Sequence, residues 1–243
     1  MLRTRISPVI LIDGPGLNKT KKFKNYKYLG DAINVLKIFN ELSVDELVIY
    51  DITRDRNDIN FDLLKKINRE ANMAITYGGK ISSVSQVEEL INIGCEKVSI
   101  CSSILDRELI IQSASKVGAQ SIALTLDYKE NLFGSVSYYG NFGKNKLAYS
   151  TDEMLSYISG LPVGEIILQN INYDGLKMGY STSLIDEYSK LGIPLKIVGG
   201  CKDANSIIDV HSKFSLVSYG VGSYFCLKGK LDAVLISYER PDV

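Results

Sequence analysis

Few residues in this chain can do chemistry unaided, and their spacing narrows the chemistry further. There are four cysteines, Cys95, Cys101, Cys201 and Cys226, and one histidine, His211. No two cysteines form a Cys-x-x-Cys pair. A structural zinc site needs about four soft ligands at tight spacing, so no metal site is expected. One histidine leaves a hydrolytic triad without its usual base, and gives Cys101 no evident partner to activate it as a nucleophile. Carboxylates, amines and glycine pairs remain. Asp127 follows an apolar run, Asp51 and Asp174 end the second and sixth strand-like segments, and Lys19 lies in a segment, 14–28, with Lys21, Lys22, Lys24 and Lys27. Gly78-Gly79, Gly199-Gly200 and Gly222-Ser223 close other apolar runs. Glycine lets backbone N–H groups approach a phosphate, although the same pairs also make tight turns. Proton transfer by carboxylates and anion binding are the chemistries these types allow.

Such residues need a frame that gathers distant positions. Strand-like runs fall at 9–12, 46–50, 74–77, 97–100, 121–126, 165–168, 195–198 and 216–221, several apolar throughout. Continuous apolar runs are expected of parallel strands buried on both faces. Helical patterns lie between them at 32–42, 61–71, 84–93, 183–191 and 204–213. In 84–93 the apolar residues fall mostly on one face, with Ser82 or Ser83 available as N-cap. Eight alternations in roughly 250 residues predict an α/β fold, a (β/α)8 TIM barrel in preference to an open doubly wound sheet. The chain also repeats itself. Residues 45–49 match 164–168, Tyr77-Gly78-Gly79 matches Val198-Gly199-Gly200, and Ile100-Cys101-Ser102 matches Val221-Gly222-Ser223. Each pair lies about 120 residues apart, which implies two half-barrel repeats. Nothing resembles a linker, so residues 1–243 read as a single barrel domain.

Bulk properties remove several functional classes. The 243 residues carry 28 Lys+Arg against 28 Asp+Glu, a formal net charge of +0. That balance gives no global grip on nucleic acid or an anionic membrane. No apolar run reaches the ~18 residues of a membrane span. The start of the chain has two arginines but only a short apolar stretch and no small-residue cleavage site, and reads as a first strand. Free thiols in a reducing cytoplasm are therefore expected.

Active sites of such barrels lie at the C-terminal strand ends. The internal repeat sets the end of strand one against the end of strand five, so Leu11 stands where two-fold symmetry would put a partner for Asp127. Asp13 is two residues on, but Gly14-Pro15-Gly16 follows and takes the chain out of the strand.

MLRTRISP at the start, VDELVIYDIT at 44–53, CEKVSI at 95–100, GEIILQNINYDG at 164–175 and Gly199-Gly200 resemble the cyclase subunit of imidazole glycerol phosphate synthase. The resemblance covers nearly the whole chain. It implies a (β/α)8 barrel that partners a glutaminase subunit at its N-terminal face and uses ammonia delivered through the barrel, with no cofactor. The family's catalytic pair is an Asp at the end of strand one and another at the end of strand five. Asp127 matches the second, and Leu11 replaces the first. Lys19 matches a lysine of the family's mobile active-site loop, and Asp51 and Asp174 match active-site acids, although N-capping or loop packing would also account for them. The stretch 8–12 resembles a divergent branch associated with acetamidino modification of surface-polysaccharide sugars, in which the barrel passes ammonia towards a separate sugar-amidating enzyme.

Two further sets carry over from the resemblance. The family rings its N-terminal barrel mouth with four charged residues, matched here by Arg5, Glu46, Lys97 and Glu165, an ammonia-channel gate. Glu96 matches an acidic position that meets the glutaminase. The family also grips a bisphosphate at both ends. Gly175, Gly199, Gly200, Gly222 and Ser223 keep the second phosphate site, while the first retains Gly79 and Ser102 but has Lys80 in place of a glycine and Cys101 in place of an asparagine. The resemblance thus implies an ammonia-conducting synthase subunit of a glutamine-dependent amidotransferase complex serving acetamidino-sugar formation. The alternatives are the histidine-pathway cyclase with an altered acid, and a non-catalytic scaffold that activates a glutaminase.

Overall fold

The computed structural model describes residues 4–241; residues 1–3, which open the MLRTRISP motif, and residues 242–243 lie outside it. Eight parallel strands close into a barrel: β1 (Ile6–Asp13), β2 (Glu46–Asp51), β3 (Ala74–Gly78), β4 (Lys97–Ile100), β5 (Ile122–Glu130), β6 (Glu165–Asn170), β7 (Leu195–Val198) and β8 (Val217–Val221). Each pairs with its successor, β8 returns to β1 through Ile6↔Tyr219, and β5 meets β6 through Ile166↔Leu124. Helices follow the strands in turn: α1 (Ala32–Glu41), α2 (Phe61–Glu70), α3 (Val84–Asn92), α4 (Arg107–Val117), α5 (Thr151–Ser159), α6 (Ile185–Ser189), α7 (Ala204–His211) and α8 (Ser223–Cys226). The expected α/β TIM barrel is the observed fold.

Local sequence explains the boundaries. Asp31, Asn60 and Asp106 cap α1, α2 and α4 through their side chains, and Ser83, Ser150 and Asp203 form capping boxes on α3, α5 and α7. Each cap satisfies N–H groups that the first turn leaves free, worth about 1 kcal/mol.

The strands bury both faces. Outward-facing residues such as Ile10, Leu47, Ile49, Ile75, Ile166 and Leu168 pack under the helices. Inward-facing Val9, Val48, Ala123, Ile167 and Val198 form a separate apolar cluster inside the barrel, with Tyr50 against it. Period-two alternation then places Glu46 on β2, Lys97 on β4, Glu165 on β6 and Lys196 on β7 on the same inward face, one residue pair nearer the N-terminal end.

The lysine-rich segment 14–28, read from sequence as a loop, is instead part of a two-stranded hairpin, Gly16–Lys21 and Lys24–Asp31. It turns back on β1 in antiparallel register, Leu11↔Asn18, Ile12↔Leu17 and Asp13↔Gly16. The chain does leave the barrel after Asp13, with Gly14 at φ 63°. The alternation Leu17-Asn18-Lys19-Thr20 then suits a strand covered on both faces. A second hairpin, Val136–Gly140, lies antiparallel on the extended end of β5. The two hairpins meet where Phe23 stacks on Phe142, ring centroids 4.5 Å apart.

Candidate functional site

The C-terminal barrel end, roofed by the two hairpins, encloses a cavity of about 890 Å³. Leu11, Lys19, Asp51, Asp127, Asp174 and all seven residues of the expected phosphate sites line it, Gly79, Ser102, Gly175, Gly199, Gly200, Gly222 and Ser223.

Asp127, on β5, is 5% exposed. Burial pushes its carboxyl up to about 7, the Cys101 thiol opposes this by donating to Oδ2 at 3.5 Å, and the Asp174 charge adds to it. Near neutral pH the group can therefore give or take a proton. Burial, then the Asp127 charge, holds the Cys101 thiol well above its ordinary range, so Cys101 serves as a hydrogen-bond donor and not as a thiolate. Leu11 pairs in register with Tyr50 and offers no proton. The Tyr50 hydroxyl instead reaches across the barrel to Thr125 Oγ1, 3.1 Å away, and Thr125 contacts Ser99 at 2.6 Å.

The other two acids are engaged in holding loops. Asp174 Oδ2 accepts from Thr20 Oγ1 at 2.7 Å and from the Phe23 N–H at 3.1 Å, and its carbonyl accepts from the Lys22 N–H. It tethers the first hairpin. Asp51 accepts from Tyr77 Oη at 3.1 Å and from the Thr53 N–H at 2.9 Å, with Arg56 at 3.5 Å and Lys80 at 3.8 Å. Lys80 donates to the carbonyls of Thr53 and Arg56 and has φ 59°, a left-handed conformation that favours glycine. Lys19 is placed differently. It is buried, donates among the described residues only to the Val9 carbonyl at 3.3 Å, and lies so close to Gly222 that a Cβ there would collide with Nζ. Among the described residues no carboxylate comes within ion-pair distance of it. The Ser223 hydroxyl nearby is buried without a hydrogen-bond partner.

The N-terminal barrel end holds the second cluster. Lys97 Nζ is 3.1 Å from Glu165 Oε2. Lys196 is fully buried, donates to both Glu46 oxygens at 2.9 and 2.8 Å, and lies 3.5 Å from Glu165 Oε1. Ser7 and Thr76 hydroxyls complete the Glu46 carboxylate. Burial pushes Glu46 up, but Lys196 and Lys97 overcome it and hold the acid at about 2. Arg5 is not in this layer. Its guanidinium turns out to Glu96 at 2.9 Å and is 4.0 Å from Glu46, with its side chain 44% exposed. The sequence ring of Arg5, Glu46, Lys97 and Glu165 thus becomes an inner layer of two Lys and two Glu, with Arg5 on the rim. Lys196 displaces it because its strand position points inward, the same parity as Val198. That signal is present in Leu195-Lys196-Ile197-Val198 but hidden within an apolar strand.

His211 packs its ring 6.5 Å from that of Tyr219, away from the cavity. Among the described residues no three His, Cys, Asp or Glu side chains could hold a metal ion together, and no helix is long and apolar enough to cross a membrane.

Residues 5–231 match the family model described as "Histidine biosynthesis protein". The chain is 40% identical over 99% of its length, and 95% of the relative's, to a Vibrio vulnificus (strain YJ016) protein provisionally named imidazole glycerol phosphate synthase subunit hisF3. It is 36% identical over 100% of its length, and 98% of the relative's, to the provisionally named subunit hisF2 of Pseudomonas aeruginosa. With "Imidazole glycerol phosphate synthase subunit HisF" of Lactococcus lactis subsp. cremoris (strain MG1363) it shares 32% identity over 93% of its length and 89% of that protein's.

Proposed function

The chain belongs to the histidine-biosynthesis protein family, and on that premise we propose that it is the ammonia-conducting synthase subunit of a glutamine-dependent amidotransferase complex, serving acetamidino-sugar formation. A glutaminase subunit docks on the N-terminal barrel face, and ammonia passes the charged layer of Lys97, Glu165, Lys196 and Glu46 into the barrel. The observation that carries this reading is the contrast between the two barrel ends. Charges on the barrel axis are costly unless mutually paired, and here they form a paired layer, while Leu11 leaves Asp127 without an opposed acid. General acid–base ring closure needs proton donors and acceptors at opposed positions. The apolar layer of Val9, Val48, Ile167 and Val198 above the charges suits neutral ammonia better than ammonium. A separate sugar-amidating enzyme then takes the ammonia at the cavity side.

A second reading is favoured by the names of the relatives, which are imidazole glycerol phosphate synthase subunits: a histidine-pathway cyclase in which Asp127 works without its partner. The test is to combine the chain and its candidate glutaminase with the sugar-amidating enzyme, its sugar acceptor and the histidine-pathway intermediate, supply glutamine labelled with 15N in the amide, and identify which acceptor takes the label. Label in an acetamidino sugar supports the proposal. Label in imidazole glycerol phosphate at an ordinary rate establishes the second reading, and stimulated glutaminase activity with all label free in solution leaves a scaffold.

A further inference from the structure

The charged layer at the N-terminal barrel end contains a cation that the four-residue ring does not, and its side chain crosses the barrel. β2 and β6 are four strands apart in the closed order and stand on opposite walls. Lys196, from β7, places Nζ 2.8 Å from Glu46 Oε2 on β2 and 3.5 Å from Glu165 Oε1 on β6. Its ammonium therefore lies between the two walls, on the axis, and the residue is fully buried. The apolar cluster of Val9, Val48, Ile167 and Val198 begins directly above it. A small molecule travelling along the axis meets this ammonium and cannot pass while it stays there.

The neighbouring groups offer Lys196 a second position. Among the described residues Glu165 accepts one hydrogen bond, from Lys97 at 3.1 Å, so its other oxygen is open to a donor from the adjacent β7. Glu46 is also held by the Ser7 hydroxyl at 2.8 Å and the Thr76 hydroxyl at 2.7 Å, and keeps its place when the lysine leaves. A buried carboxylate stripped of its cation is costly, but Arg5 is 4.0 Å from Glu46 Oε2 and can take over. In doing so Arg5 gives up its pair with Glu96 at 2.9 Å, whose side chains are 44% and 43% exposed; exposed pairs contribute little.

We propose that Lys196 is the bolt of this barrel end. It bars the axis while it bridges Glu46 and Glu165, and clears it by withdrawing along its own wall to Glu165 as Arg5 turns in from Glu96 to Glu46. Both buried carboxylates keep a cation in either arrangement, and the exposed Glu96 is the only group left unpaired. The proposal rests on the conduit reading for what passes, but not for the movement itself.

Two measurements separate the movement from the passage. In the full chain alone, with lysine labelled with 15N at Nζ, NMR follows proton exchange between the Lys196 ammonium and water. Arg5→Met removes the replacement cation and is expected to slow that exchange at least roughly fivefold, and Arg5→Lys to restore it. Glu96→Gln releases Arg5 and is expected to speed it at least roughly threefold. Arg5 and Glu96 are both exposed, so these variants spare the core. In the complex with the glutaminase, the sugar-amidating enzyme and its acceptor, the share of 15N-amide label that is transferred should fall in Arg5→Met and rise in Glu96→Gln. Equal exchange in parent and variants, or changes in the opposite sense, overturns the bolt whatever the transfer does. Exchange that responds as expected while the transferred share does not move leaves the bolt in place and removes the conduit reading instead.

Discussion

Asp127 is a buried acid lining the cavity. Its carboxyl, raised to about 7 chiefly by burial, has a pKa above that of an unfolded aspartate, near 3.9. Unfolding then releases a proton between those values, so stability falls as pH rises from about 4 to about 7 and levels off beyond. Asp127→Asn is expected to abolish that slope, leaving the variant more stable than the parent at pH 8 by a few kcal/mol and closer to it at pH 4.5; urea midpoints at the two values check this. Cys101→Ser puts a stronger donor on Oδ2, and the carbon-13 titration of Asp127 should shift down. Leu11 belongs to the same scale. With free ammonia, the isolated protein should cyclise the histidine-pathway intermediate at least roughly a hundredfold slower than an ordinary family member, since one acid–base group contributes about that much. A normal rate in a stopped-flow or absorbance assay would promote the histidine-pathway reading.

Among elements, the first hairpin shows what the sequence could and could not convey. Eight strand-like runs, several apolar throughout, with five helical patterns between them point to the barrel, because parallel strands buried on both faces read as near-continuous apolar runs. The hairpin was not legible. Its lysines suggest a solvated loop, and only the fold shows that Lys19 and Thr20 are covered while Lys21 and Lys24 are exposed. Asp174 carries a similar lesson: its place after an inward strand fits an active-site acid, yet its carboxylate is spent on Thr20 and Phe23. Asp174→Ala leaves that hydroxyl and that N–H unpaired, at a cost of about 1–3 kcal/mol. Hydrogen exchange across residues 16–31 should accelerate in the variant while β2 and β4 keep their protection; unchanged exchange in the hairpin would show that the Phe23–Phe142 stack alone holds it.

Across the whole molecule, the two barrel ends differ, with ions paired at the N-terminal end and the cavity that holds Asp127 at the other. Arg5, Glu46, Lys97 and Glu165 could be matched one at a time from sequence, but the layer they build could not, since Lys196 enters it from a strand that reads as core. Glu46, held at about 2 by Lys196 and Lys97 against burial, contributes stability that is complete above the unfolded value near 4.3 and is lost as pH falls towards 2. Acid unfolding of Glu46→Gln should lack the steep loss between pH 4.5 and 2, a difference of about 3 kcal/mol, although the neutral side chain leaves Lys196 less well paired at pH 7. Replacing Lys196 by Met in an otherwise native layer leaves two carboxylates with one ammonium, and a stability loss of about 3–5 kcal/mol is expected.

The claim that ammonia crosses this layer meets its most direct test in the purified complex with its glutaminase, supplied with the sugar-amidating enzyme and its acceptor, comparing the parent with Lys97→Met. With 15N-amide glutamine, the quantity to follow is the share of label that reaches the acceptor against the share released as ammonium. Lys97→Met is expected to lower the transferred share and raise release into solution, while added ammonium chloride still supports product formation at the parent rate. If the folded variant complex transfers and leaks label as the parent does, the paired charges at the N-terminal end are structural and the barrel is not a conduit.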